Sequence, residues 1–275
     1  MAELEMTPSV KQQAEAIRNQ YNEYSSYNTF SALVMGIYGV GKTSLITTMP
    51  RPILIESFDP KGTVVVERLY PEEIKNGNIL IRRYWDEDFR KPTEYLRWED
   101  QWEADLESGF LDQLGTYAID SLTTLLDALA NYFSIKLQRD RTKQKLAMND
   151  YLVIYDLMKN IIKRSSSRNC NFITTGHLVE EQDETTSKVE ARLKTFKGLK
   201  TDIPLLFTEK YVLQKRMQSG IPKYELLATS AGRYEASTQL GAGGKLNPIE
   251  EPNLKAIMKK VGMDNSDKPS LIGGA

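Results

Sequence analysis

Short apolar runs alternate with helix-like stretches along most of the chain. Each run ends at polar or glycine-rich residues, which is typical of buried strands in a parallel sheet. The runs cover residues 32–35, 52–56, 64–66, 79–81, 116–120, 171–175, 211–213 and 224–227. Elsewhere the apolar residues recur three or four apart, which predicts helices over 8–24, 43–49, 93–107, 122–133, 150–164 and 254–261.

Strands that alternate with helices predict an α/β fold, with a mostly parallel sheet flanked by helices. The last two strands lie on either side of Ser219 and Gly220, so we expect them to form a C-terminal β-hairpin. Residues 178–205 are polar and highly charged, and we expect a loop or mobile insertion there. The predicted regions are an N-terminal helical extension (1–30), a core domain (31–240), and a short helix with a flexible tail (241–275).

The first predicted helix is amphipathic. Its apolar stripe consists of Val10, Ala14, Ile17 and Tyr21. Such a stripe packs either on its own domain or on a neighbouring subunit, and we favour the first because most stripes of this kind are intrachain. The aromatic stripe in residues 93–107 is likewise expected to be core rather than a ligand platform.

The composition limits the class of protein. The chain has 275 residues, 40% of them apolar, a net charge of −1, one cysteine and one histidine. These counts exclude an internal disulfide and argue against zinc sites rich in cysteine or histidine. The acidic first residues lack a signal-peptide core and no apolar run is long enough for a membrane span, so we expect a cytoplasmic protein without a membrane partner. Any site for a polyanion must be a local patch.

One glycine-rich stretch carries the strongest chemical signal. Residues 36–43 read Gly-Ile-Tyr-Gly-Val-Gly-Lys-Thr, which matches the phosphate-loop pattern between a strand and a helix. Glycines let backbone N–H groups point at phosphates, and the helix N-terminus adds partial positive charge. We expect Lys42 to reach the β- and γ-phosphates and the Thr43 hydroxyl to bind Mg²⁺. The expected nucleotide-binding residues are Gly36, Tyr38, Gly39, Val40, Gly41, Lys42, Thr43 and Ser44.

Acids at the ends of other predicted strands would complete this chemistry. Asp120 is expected to be the second Mg²⁺ group, with a helix cap as the alternative. Many ATPases place a glutamate directly after this aspartate to orient water, but here the residue is Ser121. The water-activating acid must therefore come from elsewhere or be absent, and we expect it at the end of the second strand. Glu56 is our first choice and Asp59 the second, and an exposed acid without a catalytic role is the alternative for either.

His177 follows the strand 171–175 and is expected at the same edge of the sheet. There it either senses the γ-phosphate or has only a structural role. Two segments rich in Lys and Arg, residues 136–145 and 188–200, follow elements that reach this edge. They suit a nucleic-acid backbone, a solvated surface, or a cation that acts on the γ-phosphate across a subunit interface. Their basic residues are Arg139, Arg141, Lys143, Lys145, Lys188, Arg192, Lys194, Lys197 and Lys200.

In this order, the phosphate loop, the acids at 56–59, Tyr-Ala-Ile-Asp-Ser at 117–121 and Thr-Gly-His at 175–177 resemble the RecA-like core. The chain is similar to phage-encoded nucleotide-binding proteins of the AAA-like class, which include RecA-related single-strand annealing ATPases. The resemblance covers residues 30–240. It implies ATP and Mg²⁺ as cofactors, the site roles given above, His177 as the γ-phosphate sensor, and the two basic segments as DNA-binding loops.

Together these signals predict an ATPase that depends on Mg²⁺ and binds single-stranded DNA in phage-type recombination or annealing. The expected partners are further copies of the chain and a single-strand binding protein or another replication or recombination protein. The location would be the host cytoplasm if the chain is phage-encoded. Two alternatives stay open: an ATPase that acts on a protein partner, such as a helicase loader or assembly factor, and a nucleotide-binding switch with little hydrolysis.

Overall fold

The structure is a computed structural model that describes residues 8–23, 29–137, 146–182, 187–196 and 198–272. Within these residues the helices are α1 (Pro8–Glu23), α2 (Lys42–Ile46), α3 (Val64–Leu69), α4 (Pro71–Lys75), α5 (Glu94–Glu107), α6 (Phe110–Gln113), α7 (Leu122–Lys136), α8 (Met148–Ser166), α9 (Leu199–Leu205) and α10 (Leu254–Val261). The strands are β1 (Ser31–Gly36), β2 (Ile53–Ser57), β3 (Ile79–Arg83), β4 (Thr116–Asp120), β5 (Asn171–Gln182), β6 (Val189–Leu193), β7 (Glu209–Gln218), β8 (Ile221–Leu227), β9 (Ser237–Thr238) and β10 (Ile249–Glu250). None of the described helices combines the length and the apolar character that crossing a membrane requires.

The strands form one mixed sheet in the order β10-β8-β7-β1-β5-β4-β2-β3, with β6 on β5 and β9 on β7. All pairings from β7 to β3 are parallel, and β8 and β10 are antiparallel. A parallel core in which β5 separates the phosphate-loop strand β1 from β4 is the RecA-like P-loop arrangement. The predicted fold class is therefore confirmed, including the hairpin of β7 and β8.

Each face of the sheet carries its own apolar layer, because successive residues of a strand point to opposite faces. Leu33 and Leu54 pack in one layer with the aromatic stripe of α5, which is core as predicted. Val34 and Ile55 pack in the other layer with residues of α2 and α10. This alternation decides which strand-end side chains can face the phosphate loop, since α2 lies on only one of the two faces.

Two predicted elements are different in the structure. Residues 64–66 are not a strand but the start of α3, in which only Val66 is buried and Val64 and Val65 are exposed. A β-branched run adopts a helix here because tertiary packing outweighs intrinsic propensity. Residues 178–205 are not one irregular loop either, because β5 continues to Gln182, pairs with antiparallel β6, and is followed by α9.

The two ends of the described chain also differ from expectation. Helix α1 forms as predicted, but residues 9–20 are all exposed, so the favoured packing of its stripe on its own domain is wrong for these residues. The expected flexible tail is attached to the body as far as residue 272. The backbone N–H of Arg51 donates to Asp267 Oδ1 at 2.7 Å, and Lys268 Nζ donates to Asp112 O at 2.8 Å.

Candidate functional site

The phosphate loop has the backbone geometry that anion binding requires. It joins β1 to α2, and Gly39 and Gly41 have φ angles of 77° and 94°, a region that favours glycine. The first N–H groups of a helix have no intrahelical acceptor. Gly41, the residue before α2, has no side chain that could accept from them. These residues line a pocket, and N–H groups at the start of a helix favour the binding of phosphate.

Lys42 is folded over this loop. Its Nζ donates to the carbonyl oxygens of Gly36 and Ile37, both at 3.0 Å, and lies 3.3 Å from His177 Nδ1. Burial lowers the pKa of Lys42, while the negative charges of Asp120 and Asp59 act in the opposite direction. A desolvated ammonium group forms stronger hydrogen bonds with a charged phosphate than with these neutral carbonyl oxygens, so contact with a phosphate would stabilise it.

Asp120 ends β4 beside the first turn of α2. Its Oδ2 accepts a hydrogen bond from Thr43 Oγ1 at 2.7 Å, and its Oδ1 accepts one from Thr175. Burial raises the pKa of Asp120, and these two hydrogen bonds oppose the rise. The alternative role of a helix cap belongs instead to Ser121, whose Oγ accepts from Thr124 N at the start of α7.

Asp59 and His177 meet above the loop. His177 Nε2 lies 3.4 Å from Asp59 Oδ2, so the imidazole connects the Asp59 carboxylate to Lys42. Burial alone would raise the pKa of Asp59, but its contacts with His177 and the charge of Lys42 outweigh burial, and the pKa lies below the usual value. The backbone N–H of His177 donates to Thr123 Oγ1 at 3.0 Å, which fixes the end of this part of β5.

Glu56 is not part of this group. It follows Leu54 by two residues on β2 and therefore shares the face that carries α5, opposite to α2. Its side chain is fully buried and accepts a hydrogen bond at 3.2 Å from Arg82, which also pairs with Asp105. The expectation that Glu56 faces the nucleotide is thus corrected, and of the two candidate acids only Asp59 lines the pocket.

The pocket encloses about 780 Å³, within the range of about 300–1,000 Å³ typical of ligand sites. Seven of the eight expected nucleotide-binding residues line it, Gly36 being the exception, together with Asp59, Asp120 and His177. Sequence reasoning missed Lys61, Val65, Leu213, Tyr224 and Pro252, which also line the pocket. Most of these carry no motif, and only the packing of α3 and of the last strands brings them to the loop.

A family model described as an AAA domain, AAA_24, matches residues 28–219, which is more than half of the chain. The chain belongs to the AAA_24 family. It is a P-loop nucleotide-binding protein. Among solved structures, it is similar to the flagellar accessory protein FlaH from Methanocaldococcus jannaschii, with 11% identity, a TM-score of 0.46, and coverage of 84% of this chain and 88% of that one. No curated protein matches the chain.

The donor set of this AAA_24 domain fits a magnesium ion that is bound together with nucleotide phosphates. Thr43 supplies a hydroxyl, and Asp120 supplies a carboxylate whose pKa is raised by burial, so a cation beside it would favour its charged form. Mg²⁺ commonly uses one or two such oxygen ligands plus phosphate and water. Among the described residues, no cluster of three or more His, Cys, Asp or Glu side chains could hold a metal ion by itself.

The second predicted basic segment of this AAA_24 domain has less free positive charge than its lysines and arginines suggest. Residues 178–200 contain five acids and five bases. Lys188 and Arg192 pair with Glu190, Lys200 pairs with Glu181, and Lys194 is exposed. The other predicted nucleic-acid residues, Arg139, Arg141, Lys143, Lys145 and Lys197, lie outside the described part of the chain.

The buried acid Glu56 should make the free energy of unfolding depend on pH. Burial raises its pKa to about 8, from a usual value of 4.5. Between these values the folded chain holds a proton that the unfolded chain releases, so the free energy of unfolding falls as pH rises, by up to about 1.4 kcal/mol per pH unit. We expect Glu56→Gln, which stays neutral and keeps an acceptor for Arg82, to remove this contribution. Urea unfolding between pH 5 and 8.5 measures it.

The exposed Glu107 of α5 provides the control for this change. We expect Glu107→Gln to follow the pH dependence of the unchanged chain. If Glu56→Gln shows that same dependence, Glu56 is ionised in the folded state throughout this range and the interpretation is wrong.

Proposed function

We propose that the chain hydrolyses ATP with Mg²⁺ as the cofactor. The observation that carries the proposal is that five side chains lie together in one pocket: two pairs in contact, and a lysine beside one of them. Thr43 is bonded to Asp120, Asp59 contacts His177, and Lys42 lies beside His177. A phosphate-binding cation, a Mg²⁺ group and an acid free to contact water are the parts that phosphoryl transfer to water requires.

Each residue would act mainly by position and charge. The loop N–H groups and Lys42 would bind the β- and γ-phosphates, and Thr43 and Asp120 would hold Mg²⁺. When bound, the metal ion neutralises charge on the phosphate oxygens. The pKa of Asp59 lies below its usual value, so its carboxylate is ionised at neutral pH and can accept a hydrogen bond from a water molecule. His177 would hold that carboxylate in place and contact the γ-phosphate.

His177 also offers a route from the nucleotide to the surface. Its carbonyl oxygen accepts a hydrogen bond at 2.8 Å from the backbone N–H of Lys194, which directly follows β6. The β5–β6 hairpin therefore starts and ends at this histidine. We infer that the presence of the γ-phosphate changes the position of the hairpin through His177.

Asp120→Asn tests the hydrolytic part of the proposal. We expect phosphate release from ATP to require Mg²⁺ and to fall by about 100- to 1,000-fold in this variant, because a charge that holds the metal is lost. Phosphate release with and without a chelator measures both effects. Asp100→Asn, at an exposed position of α5, is the control and should leave the rate unchanged. A variant with the full rate would exclude Asp120 from the metal site.

Single-stranded DNA is the macromolecular ligand that we propose. Its support is the sequence of residues 139–145, which contains four bases and one acid. We expect a labelled single-stranded oligonucleotide to bind more tightly with ATP than without it. Its affinity should fall with salt, with a slope of about 0.7 per phosphate contact on logarithmic axes. Fluorescence anisotropy measures this, and absence of binding in both states would exclude DNA while leaving the ATPase proposal intact.

A protein partner is the second candidate for the β5–β6 hairpin. Two observations favour it: the hairpin bases Lys188 and Arg192 pair with Glu190 and Lys200 pairs with Glu181, and the acids and bases of residues 178–200 are equal in number. A surface with paired charges of both signs suits a protein better than a polyanion. ATP hydrolysis without any response to DNA would favour this candidate.

A further inference from the structure

One end of the nucleotide pocket has no role in the phosphate chemistry. This second end is lined by Leu213, Tyr224 and Pro252. Asp59 lies in the loop after β2, Asp120 ends β4 and His177 lies in β5. All three elements are on one side of β1 in the sheet. Leu213 and Tyr224 come from β7 and β8, on the other side of β1, and both line the pocket. The phosphate loop follows β1 and therefore lies between the catalytic end and this second end.

Strand register puts Tyr224 on the face of the sheet that carries the phosphate loop. Leu213 is paired with Leu226 in the antiparallel β7–β8 ladder, so their side chains share one face. Both are buried in the same apolar layer as Val40 of the loop. Tyr224 precedes Leu226 by two residues, which places it on that face one step closer to the edge of the sheet. Its side chain is 40% exposed there.

Pro252 is the second group at this end, and it is firmly anchored. It stands just before α10, whose first residue Leu254 donates its backbone N–H to Thr48 Oγ1 at 3.0 Å. Asn253 caps the same helix by accepting from Ala256 N at 3.0 Å. These bonds hold the segment against the end of α2. An aromatic ring and a fixed proline thus flank the pocket beyond the phosphate loop.

We propose that Tyr224 and Pro252 bind the base of the nucleotide and favour a purine. A planar, mostly apolar base is the part of a nucleotide that stacks on an aromatic ring, and a purine offers the larger face. Both residues lie beyond residue 219, where the match to the AAA_24 family ends, so family membership assigns them no role. The inference rests on the proposed function, since it requires the triphosphate to lie in the phosphate loop.

Calorimetric titration of the full chain with three Mg²⁺-bound probes tests the proposal: ATP, CTP and inorganic tripolyphosphate. We expect the affinity to decrease in that order. Tyr224→Ala should lower the affinity for ATP by about 5- to 150-fold, the range measured for loss of one base stack. Its affinity for tripolyphosphate should stay unchanged, and Tyr224→Phe should bind ATP like the unchanged chain. Met217→Ala is the control, because Met217 lies on the same face of the hairpin but outside the pocket.

The outcomes separate this inference from the proposed function. If Tyr224→Ala binds ATP as tightly as the unchanged chain, while tripolyphosphate binding persists, the base lies elsewhere and the inference is wrong. If Tyr224→Ala weakens ATP and tripolyphosphate equally, Tyr224 supports the loop and does not contact a base, which also overturns it. If the unchanged chain binds neither ATP nor tripolyphosphate, the proposed function fails and the inference fails with it.

Discussion

Lys42→Ala is expected to lower the affinity of the chain for ATP by about 10- to 100-fold, the effect of losing one or two charge-assisted hydrogen bonds. In the structure the ammonium group is buried and is held by the carbonyl oxygens of Gly36 and Ile37. A phosphate would replace these neutral acceptors with a charged one. No other lysine or arginine among the described residues that line the pocket is buried in this way, since Lys61 is exposed.

Titration with a fluorescent ATP analogue measures this affinity, and thermal unfolding shows whether the variant is folded. This check is needed because Lys42→Ala relieves the desolvation of the cation but also removes a positive charge that acts on Asp59 and Asp120. Lys75→Ala, at an exposed position at the end of α4, is the matched control. Unchanged ATP affinity in folded Lys42→Ala would mean that the triphosphate does not bind at this loop.

The general architecture was predictable because its signals are local. A phosphate loop between an apolar run and a helix, followed by further apolar runs, is sufficient to predict a parallel sheet with a nucleotide at the carboxyl ends of its strands. Asp120 and His177 could be located in the same way, because Asp120 ends such a run and His177 comes two residues after another. The structure places both of them at the pocket.

The choice between Glu56 and Asp59 could not be made from the sequence. In a strand that is exposed on one face, polar residues mark the face that points to water. All five residues of β2 are buried, so its sequence contains no such mark. Alternation along the strand puts Glu56 on the face of Leu54, but only the packing of α5 on that face and of α2 on the other shows that Glu56 points away from the phosphate loop. The loop after the strand then returns Asp59 to the pocket.

The hairpin of β5 and β6 and the second end of the pocket escaped prediction for a related reason. Leu178, Ala191 and Leu193 are buried, but charged residues between them give the segment the character of a loop. Tyr224 and Pro252 lie about 180 residues or more beyond the phosphate loop, and only strand register and the anchoring of α10 bring them to it. Long-range register of this kind leaves no signal in local hydropathy.

Asp59→Asn is expected to lower the rate of ATP hydrolysis by about 100-fold or more while leaving ATP affinity nearly unchanged, as for loss of a group that activates water. Asparagine keeps the size of the side chain and one oxygen that can contact His177. Glu56→Gln is the matched comparison, and we expect it to hydrolyse ATP at nearly the full rate, because Glu56 is bonded to Arg82 outside the pocket. Single-turnover phosphate release measures both variants. Reversed effects would return the catalytic role to Glu56.

The pH dependence of the rate provides an independent test of the same assignment. The pKa of Asp59 lies below its usual value because contact with His177 and the charge of Lys42 outweigh burial. Asp59 therefore remains ionised as pH falls from 8 to 5, and its protonation should not slow hydrolysis in this range. Burial raises the pKa of Glu56 to about 8, so a rate that depended on ionised Glu56 would fall about tenfold for each pH unit below 8. Rates measured in the unchanged chain, at saturating ATP and Mg²⁺, distinguish the two acids. A tenfold decrease per unit below pH 8 in the unchanged chain, together with loss of hydrolysis in Glu56→Gln, would show that Asp59 is not the acid that activates water.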